Sequence, residues 1–76
     1  MARWAPCKRK AFITKLIALG FSPPEPGGSH HYMRYGAYTL TLPSNSDYSV
    51  NQVKMLIREI EPALGRRIPL KEWLSL

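Results

Sequence analysis

The apolar positions fall into two helical stripes separated by a stretch that alternates. From Lys8 to Leu19 the stripe is Phe12, Ile13, Leu16 and Ile17, spaced i, i+1, i+4, i+5 as on one helix face. Lys8, Ala11, Lys15 and Ala18 take the opposite side, expected to be wet. Pro6 suits the first turn, where its missing N–H costs nothing, and Gly20 suits the left-handed position after the last one. Phe21 is then expected to fold back on that turn as its hydrophobic cap. The second stripe is Val53, Leu56, Ile57, Ile60 and Leu64, and Ser49-Val50-Asn51-Gln52 before it fits a capping box. Lys54, Arg58 and Glu61 form the outer row of this helix, and Pro62 is expected to end or kink it near Ile60.

Between the helices, Ser22–Gly28 carries three prolines, so it reads as an edge strand at best and more naturally as an extended arm. An alternating run then goes out and returns about Gly36, which reads as a β-hairpin. On the first strand His30, Tyr32 and Arg34 share one face, and His31, Met33 and Tyr35 the other. On the return strand Tyr38, Leu40 and Leu42 form the face expected to be buried. Pro43–Tyr48 is a polar loop by composition, Gly65-Arg66-Arg67 is a break, and Pro69–Leu74 has the length of a turn or two of helix.

Helix, poor strand, strand, strand, helix predicts an α+β fold, two helices packed on one face of a small antiparallel sheet. The 76 residues are expected to form one domain with its core in 8–64 and a tail at 65–76 whose Trp73 and Leu74 pack on the domain. Met1–Ala5 is expected to be irregular and anchored by Trp4. The basic Lys8-Arg9-Lys10 before an apolar run resembles the start of a signal peptide, but Lys15 interrupts the run and no cleavage pattern follows. No apolar stretch is long enough to span a bilayer, so a soluble protein is expected.

Eleven Lys and Arg against five Asp and Glu give a net charge of +6, a field that favours polyanions. The one cysteine, Cys7, allows no internal disulfide and suits a reducing, cytoplasmic setting. Nothing marks a base that would make Cys7 a nucleophile, and two adjacent histidines with one distant thiol do not supply a tetrahedral zinc site. No metal or cofactor is expected. Chemistry concentrates at Gly28-Ser29-His30-His31, since imidazole is the side chain that titrates nearest neutrality.

Leu19-Gly20-Phe21 after a helix, then Gly28-Ser29-His30-His31, a hairpin closing on Thr41-Leu42-Pro43, and a capped basic helix together resemble the HicA family of toxins. The likeness covers about Lys8 to Ile60 and is sharpest at the Gly-Ser-His-His signature. It implies a fold like the double-stranded-RNA-binding domain and metal-independent cleavage of messenger RNA by a histidine. It also implies a cognate antitoxin protein that silences the toxin. Carried over, His30 and His31 are the catalytic candidates, His30 preferred, with Gly28 and Ser29 as RNA- and phosphate-binding candidates and Gly28 allowing close backbone approach. Two features depart from the family pattern: Pro23, Pro24 and Pro26 occupy the first strand, and the turn at Gly36 is tight.

Metal-free cleavage needs a base for the 2′-OH proton, cations for the phosphate and an acid for the leaving 5′-oxygen. Arg34, on the His30 face, and Lys54 and Arg58, on the second helix, are the phosphate candidates, and Tyr32, Tyr35 and Tyr38 are candidates to stack on bases. The alternative is a non-catalytic double-stranded-RNA-binding or protein-interaction module of the same fold.

Overall fold

The computed structural model describes residues 2–76; Met1, at the start of the expected irregular segment, lies outside them. The chain runs β1 (Cys7–Lys8), α1 (Arg9–Ala18), β2 (Glu25–Gly27), β3 (His30–Tyr35), β4 (Tyr38–Thr41), β5 (Asp47–Tyr48), α2 (Val50–Leu64) and α3 (Leu70–Ser75). It is a small α+β domain with two antiparallel sheets, one of order β2-β3-β4 and one pairing β1 with β5. No helix among the described residues is long and apolar enough to cross a membrane.

The three-stranded sheet is a meander with two tight turns. Gly27 pairs with His30 across Gly28-Ser29, and Tyr35 pairs with Tyr38 across Gly36-Ala37. In both turns the first central residue is a glycine at positive φ, 69° at Gly28 and 58° at Gly36, the position that type II′ hairpins reserve for glycine. The proline-rich segment therefore does more than lie alongside as an arm: Glu25–Gly27 is an edge strand in register with His30–Tyr32. Pro26 is compatible with it because an edge strand has one side that needs no donor.

Met33 stands opposite Leu40 and Tyr35 opposite Tyr38, so the face carrying Met33, Leu40 and Leu42 is buried beneath the helices. The core adds Phe12 and Leu16 from α1, Val53, Leu56, Ile57 and Ile60 from α2, and Phe21, Tyr48, Ile68 and Trp73. The opposite face of the sheet, with Arg34, Thr39 and Thr41, is open.

Several local expectations hold. After α1 the Phe21 amide donates to the Leu16 carbonyl and the Gly20 amide to the Ile17 carbonyl, both at 3.0 Å, a Schellman closure that buries Phe21. At α2 the Ser49 hydroxyl accepts from the Gln52 amide at 3.2 Å while the Gln52 side chain accepts from the Ser49 amide, also at 3.2 Å.

Other expectations are corrected. Pro6 is not the first residue of α1; Cys7 and Lys8 are extended and pair with Tyr48 and Asp47, which moves the helix start to Arg9. Tyr48 is no loop residue but fully buried, edge-on to Phe12 at 5.4 Å, with its hydroxyl donating to the Pro43 carbonyl. Pro62 does not end α2, which continues to Leu64 and closes on Gly65 at φ 74°. The proline forgoes one bond, to the Arg58 carbonyl, and the last turn still closes through the Gly65 amide, which donates to the Glu61 carbonyl at 2.9 Å. Ile17 is 45% exposed, whereas Lys15 turns inward: its ammonium donates to the Trp73 carbonyl at 2.7 Å and lies 5.2 Å from the Trp73 ring centre.

The tail after Gly65 is thus part of the core. Trp73 packs on Phe12 at 5.3 Å, whereas Leu74 is half exposed and does not pack as expected. Glu61 leaves the outer row of α2 to accept the Ile68 amide at 2.7 Å. Arg66 donates two hydrogen bonds of 2.6 Å to Glu72, holding that carboxyl below its ordinary range. A depressed folded-state pKa means the stabilisation is complete above the ordinary carboxylate value and is lost as pH falls through the folded one. Glu72→Gln is therefore expected to lower stability at neutral pH and to flatten its acid limb, as measured by urea midpoints taken from pH 7 to pH 3.

Candidate nucleic-acid interface at the histidine end of the sheet

Topology gathers the site. The Gly28-Ser29 turn delivers His30 and His31 to the start of β3, and antiparallel pairing sets the end of β4 beside them, with the Leu42 amide donating to the His31 carbonyl at 2.9 Å. The chain then runs through Ser44 to Ser46, whose carbonyl accepts the Arg9 amide at 2.9 Å. That bond ties the start of α1 to the same end of the sheet. The result is a cleft of about 540 Å³ lined by Lys8, Arg9, Lys10, Ser29, His30, His31, Ser44 and Ser46.

Both imidazoles are exposed, and among the described residues neither makes a side-chain hydrogen bond. Strand alternation sets His31 on the face of Met33, the side that carries the helices, and His30 on the open face with Tyr32 and Arg34. Ser29 and Gly28 form the turn at the rim. A Cβ at Gly28 would meet nothing within 4 Å, so glycine is required there by its φ of 69°, and its open side leaves the backbone approachable.

The cleft's cations are three that the sequence reading did not select. Lys8 bridges to Asp47 at 3.2 Å with both side chains well exposed, a weak tie that an anion can replace. Arg9 lies near the Tyr48 hydroxyl, where its charge opposes the rise that burial imposes on that phenol. Lys10 is exposed. The signal that could have found them is the +3 run Lys8-Arg9-Lys10 at a helix start, read above only as a test for a signal peptide.

The chosen cations stand elsewhere. Arg34, on the open face, bridges to Glu25 at 3.6 Å and lies 5.3 Å from the Tyr32 ring centre, and it does not line the cleft. Lys54 and Arg58 line two other clefts along α2 and do not join the histidines. The tyrosines are occupied as well. The Tyr32 ring covers Gly27 so closely that a Cβ there would come within 2.6 Å of it, and Tyr35 and Tyr38 pack on Phe21 at 5.3 and 6.4 Å.

Cys7 is half-buried and burial raises its thiol pKa, with Lys15 opposing, which disfavours the thiolate. Among the described residues no group of three or more His, Cys, Asp or Glu side chains stands close enough to hold a metal ion. Comparison with family models, with curated proteins and with solved structures gave no match, so the likeness to HicA toxins rests on the residues already named.

Proposed function

We propose that this chain is a metal-independent endoribonuclease of the HicA toxin type, cutting messenger RNA in the cytoplasm and held silent by an antitoxin protein. The observation that carries the reading is the shared cleft of His30, His31 and Lys8-Arg9-Lys10. A likeness to the double-stranded-RNA-binding domain is supported by the order α1-β2-β3-β4-α2 around an antiparallel meander with both long helices on one face.

In this reading the cations bind the scissile phosphate and its neighbours, and their charge stabilises the crowded anionic phosphorus of the transition state. His31, rather than the His30 that the resemblance favours, takes the 2′-OH proton, because it stands on the helix side of the strand. The 2′-oxygen attacks phosphorus, the bond from phosphorus to the 5′-oxygen breaks, and His30, across the rim, returns a proton to that oxygen. The products are a 2′,3′-cyclic phosphate and a 5′-hydroxyl. An oligonucleotide with one 2′-deoxyribose at the cut site is expected to resist cleavage there in EDTA while its all-ribose twin is cut. Equal cutting of both, or ends bearing a 5′-phosphate, would overturn this mechanism.

A further inference from the structure

A second basic cleft lies between α2 and the tail, away from the histidines. It measures about 510 Å³ and is lined by Trp4, Ile57, Ile68, Pro69 and Leu70 together with Lys54, Arg58, Glu61 and Arg67. Ile57 and Ile68, each 3% exposed, give it an aliphatic floor, and half-buried Trp4 and Leu70 give it walls. Lys54, Arg58 and Arg67 are exposed and, among the described residues, have no ion-pair partner. The one carboxylate in the cleft, Glu61, is already engaged by the Ile68 amide. A neighbouring cleft of about 500 Å³ shares Lys54 and Arg58 and adds half-exposed Met55 together with Asn51 and one carboxylate, Glu59.

We infer that this cleft docks an acidic protein segment that carries apolar side chains between its carboxylates. Charge complementarity sets the sign of the occupant: three uncompensated cations ring the floor. The floor sets its class. Aliphatic side chains accept leucine or valine but offer no row of aromatic faces, and Trp4 is the one ring present, so a nucleic-acid strand would gain phosphate contacts with little stacking. Trp, Arg and Met are also the residues that protein interfaces favour, and Trp4, Arg58, Arg67 and Met55 supply all three kinds along one continuous surface. The inference stands on this cleft alone and does not depend on RNA cleavage at the histidines. Where that cleavage holds, a partner docked here leaves the histidine cleft open unless a further part of it reaches across.

The test is a titration of the isotope-labelled chain, followed by amide and indole NMR signals. The probes are a short synthetic peptide of interspersed glutamate and leucine, the same peptide with glutamine for glutamate, and oligouridylate. The acidic peptide is expected to move Ile57, Arg67, Leu70 and the Trp4 indole saturably, and the glutamine peptide to bind more weakly. The double variant Arg58→Glu/Arg67→Glu, shown folded by circular dichroism, is expected to lose about tenfold or more in affinity for the acidic peptide. The inference is overturned by shifts confined to Ser29–His31 and Lys10, by equal binding of the two peptides, or by no shifts with folded protein. It is equally overturned by oligouridylate moving the same α2 and tail signals more strongly, which would make RNA the occupant.

Discussion

Trp73→Ala is expected to destabilise the chain by about 3–5 kcal/mol, the range for deleting a large buried aromatic. Trp73 is 3% exposed, lies 5.3 Å from the Phe12 ring and sits under the Lys15 ammonium, which also binds its carbonyl. Removing the indole leaves a cavity against Phe12 and strips the cation of its ring. For 76 residues a total stability of about 4–11 kcal/mol is the normal range, so the variant is expected to lose a large fraction of its stability and to unfold at a much lower urea concentration. Leu74→Ala, one position along at a half-exposed side chain, is expected to change little. Urea denaturation followed by circular dichroism compares the two. Equal midpoints would mean that the tail is an appendage and not part of the core.

The second large effect concerns RNA. Replacing Lys8, Arg9 and Lys10 together by glutamine is expected to weaken binding to a single-stranded oligonucleotide and to make what remains less sensitive to salt. Each phosphate contact on a single strand contributes about 0.7 to the slope of log affinity against log salt, so losing three lowers it by about 2. Lys54→Gln/Arg58→Gln removes two charges of the same sign on the far clefts and is expected to leave that slope nearly unchanged. Affinities measured by fluorescence anisotropy at several salt concentrations separate the two cases. If the α2 variant lost more of the slope, the RNA path would run along α2 and not through the histidine cleft.

Elements with a strong local signal were readable from the chain. The α2 stripe, the Ser49/Gln52 box and Gly20-Phe21 each describe interactions within a few residues, and each formed as expected, whereas the α1 stripe buries Phe12 and Leu16 but leaves Ile17 exposed. What depended on distant partners was not readable. Tyr48 is buried because β5 pairs with β1 about forty residues away, and nothing in Pro43–Tyr48 itself announces that pairing. Lys15 turns inward because the tail supplies a carbonyl and an indole face, which no helical wheel can show. The candidate site divides along the same line. The histidines and their turn are contiguous and were found together. Their cations come from another element, brought near by the β3–β4 pairing and the bond from Arg9 to Ser46, so sequence proximity pointed to Arg34, which Glu25 and Tyr32 already occupy.

The decisive measurement is cleavage of a labelled messenger RNA by the purified chain in EDTA, wild type beside His30→Ala and His31→Ala, with circular dichroism on all three. Both histidines are exposed, so both variants are expected to fold. The wild type is expected to cut, and His31→Ala to slow cutting by about 10²–10⁴-fold, the usual contribution of a positioned acid or base. His30→Ala, which removes the acid, is expected to slow it by a factor in the same range. Folded wild type that leaves the RNA intact, or two histidine variants that cut as fast as it does, would contradict the assignment of the histidine cleft as a ribonuclease site.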